Sequence, residues 1–135
     1  MDSDSRAQFP LRRFLGMDIE DAEPGVAIAR VEVSTDLLNP NGVVHGGVLF
    51  TMVDTAMGKA TLSVLDDGQR CASVEVQLRF LRPIAAGRLT ATASVIRPGR
   101  KIIHLEARIR DGDDTLVATA TGTFVVIAGG QQAAD

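Results

Sequence analysis

From Val48 to Leu65 apolar residues fall on nearly every side of a helical projection: Val48, Leu49, Phe50, Met52, Val53, Ala56, Met57, Ala60, Leu62, Val64 and Leu65. A helix apolar all round must be enclosed by other elements. Beyond it the period drops from 3.6 to 2. In SVEVQLRFL the residues Val74, Val76, Leu78 and Phe80 alternate with Ser73, Glu75, Gln77 and Arg79, the signature of a strand with one buried face. RLTATASVI, KIIHLEARIR and TLVATATGTFVVI repeat the pattern, burying Leu89–Val95, Ile103–Ile109 and Leu116–Val126 on alternate positions. RPGR and DGDD supply tight turns, so these strands are expected to form an antiparallel meander. Upstream, the β-branched GVAIARVEVS reads as a further strand, and FPLRRFLG as a short helix with Pro10 near its start and Gly16 past its end. Phe9, Leu11, Phe14 and Leu15 of that helix are expected to pack on the elements after it. One enclosed helix and about five strands with small inward residues predict an α+β fold, a curved antiparallel sheet wrapped around one long helix.

The helix carries one narrow stripe of polar or small residues, Thr51, Asp54, Gly58 and Thr61, at spacings of three, four and three. Three of these suit a close helix contact. Asp54 does not, because an unpaired buried carboxylate costs several kcal/mol. It must face something polar.

Composition narrows the field. The 135 residues suit one domain, with an ordered core over about residues 9–127 and frayed ends in the first eight and last seven positions. A formal net charge of −3 offers no basic surface for nucleic acid. A single cysteine, Cys71, excludes an internal disulfide and fits a reducing compartment, and no Cys/His cluster with metal-ligand spacing occurs. The N-terminal MDSDSRAQFPLRRF lacks the apolar core of a secretory signal, and Val48–Leu65 carries Asp54, Lys59 and threonines, so neither export nor a membrane span is expected. The expected location is the cytoplasm.

Candidate chemistry gathers in NPNGVVHGGVLFTMVD. Gly46 and Gly47 stand where the helix begins, and their backbone N–H groups, with the positive end of the helix dipole, can hold a carbonyl and its developing oxyanion. His45 precedes them and Asn39 lies six residues upstream in the connecting loop, where a histidine more often fixes the turn than acts as the base. Asp54 is the plainest base or nucleophile in the chain. Eight residues separate it from Gly46, about 12 Å along a helix, too far to act on one carbonyl carbon. The two parts are therefore expected to meet across subunits, by antiparallel packing of two such helices about a two-fold axis.

Other residues carry weaker signals. Cys71 reads as a small apolar filler, Met52 and Met57 as core, and His104 as a residue of the outer sheet face. Ser73 opens a strand and can either line the pocket or face solvent. Arg79, Arg82, Arg97, Arg100 and Lys101 lie in or beside strand ends; of these Arg82, Arg100 and Lys101 are candidate contacts for the phosphates of a large anionic substrate.

The array Asn39-x-x-Gly42-x-x-His45-Gly46-Gly47 followed by Asp54 and Ala56 resembles the hotdog-fold acyl-CoA thioesterases of the phenylacetate-degradation type, and the likeness runs from about Gly16 to Ile127. The resemblance implies the hotdog fold and a coenzyme A thioester substrate. It further implies a dimer or dimer of dimers, and a reaction that needs no metal or redox cofactor. On matching positions it implies that Gly46 N–H polarises the thioester carbonyl, that Asp54 of the other subunit activates water or attacks directly, and that Asn39 helps place the water. His45 would orient the loop and Asn39, and Ser73 would help position water. Some relatives carry a hydroxyl where this chain has Gly58. The expected activity is hydrolysis of an acyl- or aryl-CoA to free acid and coenzyme A. Alternatives are a hotdog enoyl-CoA hydratase or dehydratase, and a non-catalytic acyl-CoA-binding protein.

Overall fold

The computed structural model describes residues 8–128; the expected fraying of the chain ends concerns residues that, save Gln8, fall outside that range. Helix α1 (Pro10–Leu15) starts with Pro10 in its first turn and stops at Gly16, whose φ of 64° is the left-handed conformation glycine adopts freely. Its Leu15 is buried and Phe9 half-buried, while Leu11 and Phe14 stay exposed against expectation. Strands β1 (Asp18–Glu23) and β2 (Val26–Val33) form a hairpin across Pro24 and Gly25. A short 3₁₀ turn (Thr35–Leu37) and the Asn39–His45 loop lead into helix α2 (Gly46–Leu62). Strands β3 (Arg70–Phe80), β4 (Gly87–Pro98), β5 (Ile102–Arg110) and β6 (Leu116–Ile127) complete the chain.

All six strands join one antiparallel sheet in the order β1-β2-β4-β5-β6-β3. Helix α2 lies in its concave face and contacts every strand. Met52, Val53, Ala56, Met57 and Ala60 are wholly buried there, against Ala29, Ala91, Ala93 and other short side chains. At Gly122 the approach is closest, since a Cβ would stand 2.5 Å from Met57 Sδ. The helix comes nearest the sheet where the inner residues are glycine or alanine.

Strands β4, β5 and β6 form the expected antiparallel meander, while β3 pairs with β6 instead of its sequence neighbour β4. Two expectations need correction. The sheet has six strands, not five: β1 is DIEDAE, an edge strand exposed along nearly its whole length, so it carries no alternating signal. The helix occupies Gly46–Leu62, not Val48–Leu65, because His45 caps it early and Ser63 ends it. The Ser63 hydroxyl donates to Ala60 O and accepts Gly25 N–H at 2.8 Å, tying the helix end to the β1–β2 turn.

Candidate active site

The loop before α2 is built around Asn39. Its main chain exchanges hydrogen bonds with Val43 and Gly42, and its Oδ1 accepts the N–H groups of Asn41 (2.8 Å) and Val43 (3.3 Å). Gly42 takes a φ of 82°, which closes the turn. With Oδ1 so engaged, Asn39 is left with its amide Nδ2 to offer as a donor. His45 then caps the helix: Nδ1 accepts the Gly47 N–H at 2.8 Å, which places the ring proton on Nε2. A Cβ at Gly47 would press on that nitrogen at 3.0 Å, so the glycine makes room for the cap.

This capping sorts the two glycines. The Gly47 N–H is spent on His45, whereas the Gly46 N–H has no acceptor among the described residues and stands at the positive end of a 17-residue helix. Gly46 shares a cavity of about 450 Å³ with Asn39, Phe80 and Arg82. The Phe80 ring lies directly on Gly46, where a Cβ would come within 3.0 Å of Cζ. Alternation predicts Phe80 inside the sheet; instead it is 58% exposed at the strand end.

Asp54 opens into a different cavity, of about 560 Å³, together with Thr55, Gly58, Lys59, Cys71 and Ser73. Ser73 faces it across that cavity. Burial raises the Asp54 pKa above its ordinary value, and the Ser73 side chain, by favouring the charged form, offsets part of that rise. Burial, and then the nearby Asp54 charge, push the Cys71 thiol up as well, so Cys71 stays protonated with Sγ 3.9 Å from Gly58 O. It is a filler, as its sequence context suggests. Lys59 reaches outward to Asp21 at 3.6 Å.

Ser73 reaches Asp54 because β3 is bulged at Val74, where the register with β6 slips between Ser73 and Glu75. Before the bulge the odd positions Cys71 and Ser73 face the helix; after it the even positions Val76 and Leu78 do. Val74 itself is expelled and 62% exposed, against expectation.

The remaining candidates are scattered. The polar stripe does not act as a unit: Thr51 bonds to Gly47 O beside His45 in a third cavity, and Thr61 is fully buried with its hydroxyl on Met57 O. His45 makes no bond to Asn39, whose orientation comes from its own loop. His104 is exposed on the outer face beside Thr123, as expected. Arg100 and Lys101 are exposed at the β4–β5 turn and line neither the Gly46 cavity nor the Asp54 cavity. Sequence reasoning missed Phe80 on Gly46, and also Thr55 and Lys59 beside Asp54; these two are four residues apart and share a face with each other, but one turned about 100° or more from Asp54, so spacing gave no signal. Among the described residues no three His, Cys, Asp or Glu side chains group as a metal site, and no helix is long and apolar enough to cross a membrane.

Known proteins match this architecture. The PaaI protein of Escherichia coli, from its phenylacetic acid degradation operon, superposes with a TM-score of 0.85 at 30% identity, covering 94% of this chain and 91% of that one. Thioesterase HI1161 of Haemophilus influenzae superposes with a TM-score of 0.90 at 25% identity, over 98% and 93% of the two chains. The 1,4-dihydroxy-2-naphthoyl-CoA hydrolase of Listeria monocytogenes is 27% identical over 116 residues, 86% of this chain and 94% of its own length. Residues 41–118, more than half of the sequence and spanning Gly46, Asp54 and Ser73, match the family model of the Thioesterase superfamily, and the chain, with its hotdog fold, belongs to that family.

Proposed function

We propose that the protein hydrolyses acyl-CoA thioesters in a site assembled from two protomers. The observation that carries this reading is the separation of two complementary half-sites: an unpaired helix N-terminal donor at Gly46, and a half-buried carboxylate about 12 Å along the same helix at Asp54. Neither half suffices alone. Strand β3 is the open edge of the sheet and runs from Ser73, beside Asp54, to Phe80, beside Gly46. An antiparallel pairing of two β3 edges, with its two-fold axis near Val76 and Gln77, brings Ser73 of one copy opposite Phe80 of the other, and so one copy's Asp54 toward the other's Gly46. The exposed Val74, Phe80 and Leu81 at this edge supply apolar surface for the contact.

In that assembly Gly46 N–H holds the thioester oxygen, and Asp54 of the other copy takes a proton from water, which attacks the carbonyl carbon. The tetrahedral oxyanion rests on Gly46 N–H and the Asn39 amide. Its collapse expels the coenzyme A thiolate, which recovers the proton from Asp54. His45 acts at one remove, by occupying Gly47 N–H and fixing the loop. Gly47 contributes by admitting the His45 ring. Arg82 lines the Gly46 cavity and would there meet a phosphate; Arg100 and Lys101, which line neither cavity, would reach coenzyme A from another copy. The mechanism calls for no metal or redox cofactor. The Listeria relative, whose name specifies a coenzyme A thioester, supports the substrate class. A dimer is the minimum assembly, a dimer of dimers is expected, and the proposed location is the cytoplasm.

The test is complementation. Asp54→Ala and Gly46→Pro are each expected to be inactive. Unfolded together and refolded as mixed dimers, they should regain about a quarter of wild-type thiol release from acyl-CoA, because half the dimers then hold one intact site of two. A mixture as inactive as its parents would overturn the shared site. Consumption of enoyl-CoA without thiol release would point to a hydratase, and tight binding without turnover to a carrier.

A further inference from the structure

Gly58 stands one helical turn beyond Asp54, at the point where α2 offers the Asp54 cavity no side chain. Packing does not demand a glycine there: a Cβ would meet Phe124 Cε2 at 3.7 Å, ordinary van der Waals contact. Backbone conformation does not demand it either, since the residue sits inside an α-helix, where glycine is unfavourable relative to alanine. What remains is the space it leaves. That space joins Asp54 and Ser73, past Phe124, to Phe9, Ile19 and Leu62, all lining one cavity of about 560 Å³ that Arg12 and Lys59 also border.

We propose that Gly58 determines acyl specificity: it opens a passage that admits an apolar acyl group of medium length, running from the thioester carbonyl at Asp54 to Phe9, Ile19 and Leu62. The inference rests on the hydrolase reading above. Its dimensions follow from the helix. Asp54 and Leu62 are eight residues, about 12 Å, apart, and an extended chain advances about 1.2 Å per bond. An acyl chain therefore passes Gly58 at roughly its fifth bond and reaches Leu62 at roughly its tenth. Acetyl and butyryl groups end before the passage. Each methylene beyond it that is buried on these side chains adds up to about fourfold in affinity.

The experiment compares wild type, Gly58→Ala and Gly58→Leu in two readouts: kcat/KM for straight-chain acyl-CoAs from acetyl to dodecanoyl, and binding of non-hydrolysable alkyl-CoA thioethers of the same lengths. Wild-type kcat/KM should climb with length to about ten carbons. Gly58→Leu should lower the decanoyl-to-butyryl ratio about tenfold or more, and Gly58→Ala should lower it less while melting at a higher temperature. A flat wild-type length profile, or an unchanged ratio in a folded Gly58→Leu of wild-type oligomeric mass, would overturn the inference; if Gly58→Leu misfolds, the ratio in Gly58→Ala decides. Should the wild type cleave no acyl-CoA, the hydrolase reading fails by itself and the thioethers decide the cavity. Affinity that grows with length and loses that growth in Gly58→Leu upholds it, and affinity independent of length overturns it.

Discussion

Ser73 faces Asp54 in one cavity from a strand position that plain alternation points to the other side of the sheet. Its side chain favours the charged carboxylate while burial favours the neutral acid, and burial is the larger effect. Since Asp54 must be ionised to act as a base, kcat/KM should rise through a limb above the ordinary carboxylate range. Ser73→Ala removes the compensation, so its limb should lie at still higher pH. Profiles of kcat/KM against pH for the two proteins check this, and a limb that stays put or moves down in Ser73→Ala rules out the coupling.

The same shift has a consequence for stability. With its folded pKa raised, Asp54 favours the folded state at pH below its unfolded pKa, and this contribution is lost as pH rises through the folded value. Asp54→Asn, which never ionises, should therefore abolish turnover while gaining stability relative to wild type as pH climbs from acid to neutral. Melting temperatures of both proteins across that range provide the measurement; a gap that narrows with pH contradicts the assignment.

Gly46→Pro isolates the backbone donor. Proline is well placed in the first helical turn, and His45, with ψ of 137°, already has the extended conformation that precedes a proline. The Phe80 ring must give way by a few tenths of an ångström, and since it belongs to the proposed contact between copies, the oligomeric mass is measured beside the activity. The variant should fold with its dichroism and mass intact and lose about 10²- to 10³-fold in kcat. Retained kcat would show that the Gly46 N–H is not the oxyanion donor.

His45 is a cap before it is anything else. His45→Ala should cost about 1 kcal/mol in urea unfolding, and His45→Asn, which restores an N-cap acceptor, should recover most of it. Equal losses in both variants would mean that the ring matters for contacts other than the Gly47 N–H.

Gly122→Ala drives a methyl group into Met57, with the new Cβ 2.5 Å from Sδ. Overpacking of this kind costs about 1–3 kcal/mol. Paired with Met57→Ala, the penalty should shrink below the sum of the two single changes, as unfolding midpoints in urea would reveal; strict additivity would place the strain elsewhere.

Periodicity is most informative where one face of an element is buried. The alternation of β5 matches its burial residue by residue, and that of β4 does so as far as Ala93, before its bulge between Val95 and Arg97, because each lies between two other strands over the helix. It fails at both sheet edges. In β1 only Ile19 escapes full exposure, so DIEDAE shows no pattern, although the Pro24-Gly25 turn before VAIARVEV is a legible hairpin signal. In β3 a single extra residue inverts which side chains face the helix, and nothing in RCASVEVQLRF marks Val74 as that residue. The donor loop is legible from its glycines and Asn39, but the division of labour between Gly46 and Gly47 depends on the His45 ring, which spacing alone does not orient.

The two sheet edges are unlike, and that asymmetry governs what the protein can build from itself. If an edge such as β3 could add to β1 of the next molecule, head would join tail without limit and the product would be a filament. Edge β1 resists such addition: it is short, shifts register between Asp21 and Glu23, and lines its border with Asp18, Glu20, Asp21 and Glu23. In the proposed assembly β3, the longer edge despite its bulge at Val74, meets its own copy, and a contact of that kind terminates growth at the first encounter. The acidic strand, which turns only Ile19 to the Asp54 cavity, thus works against polymerisation at this edge.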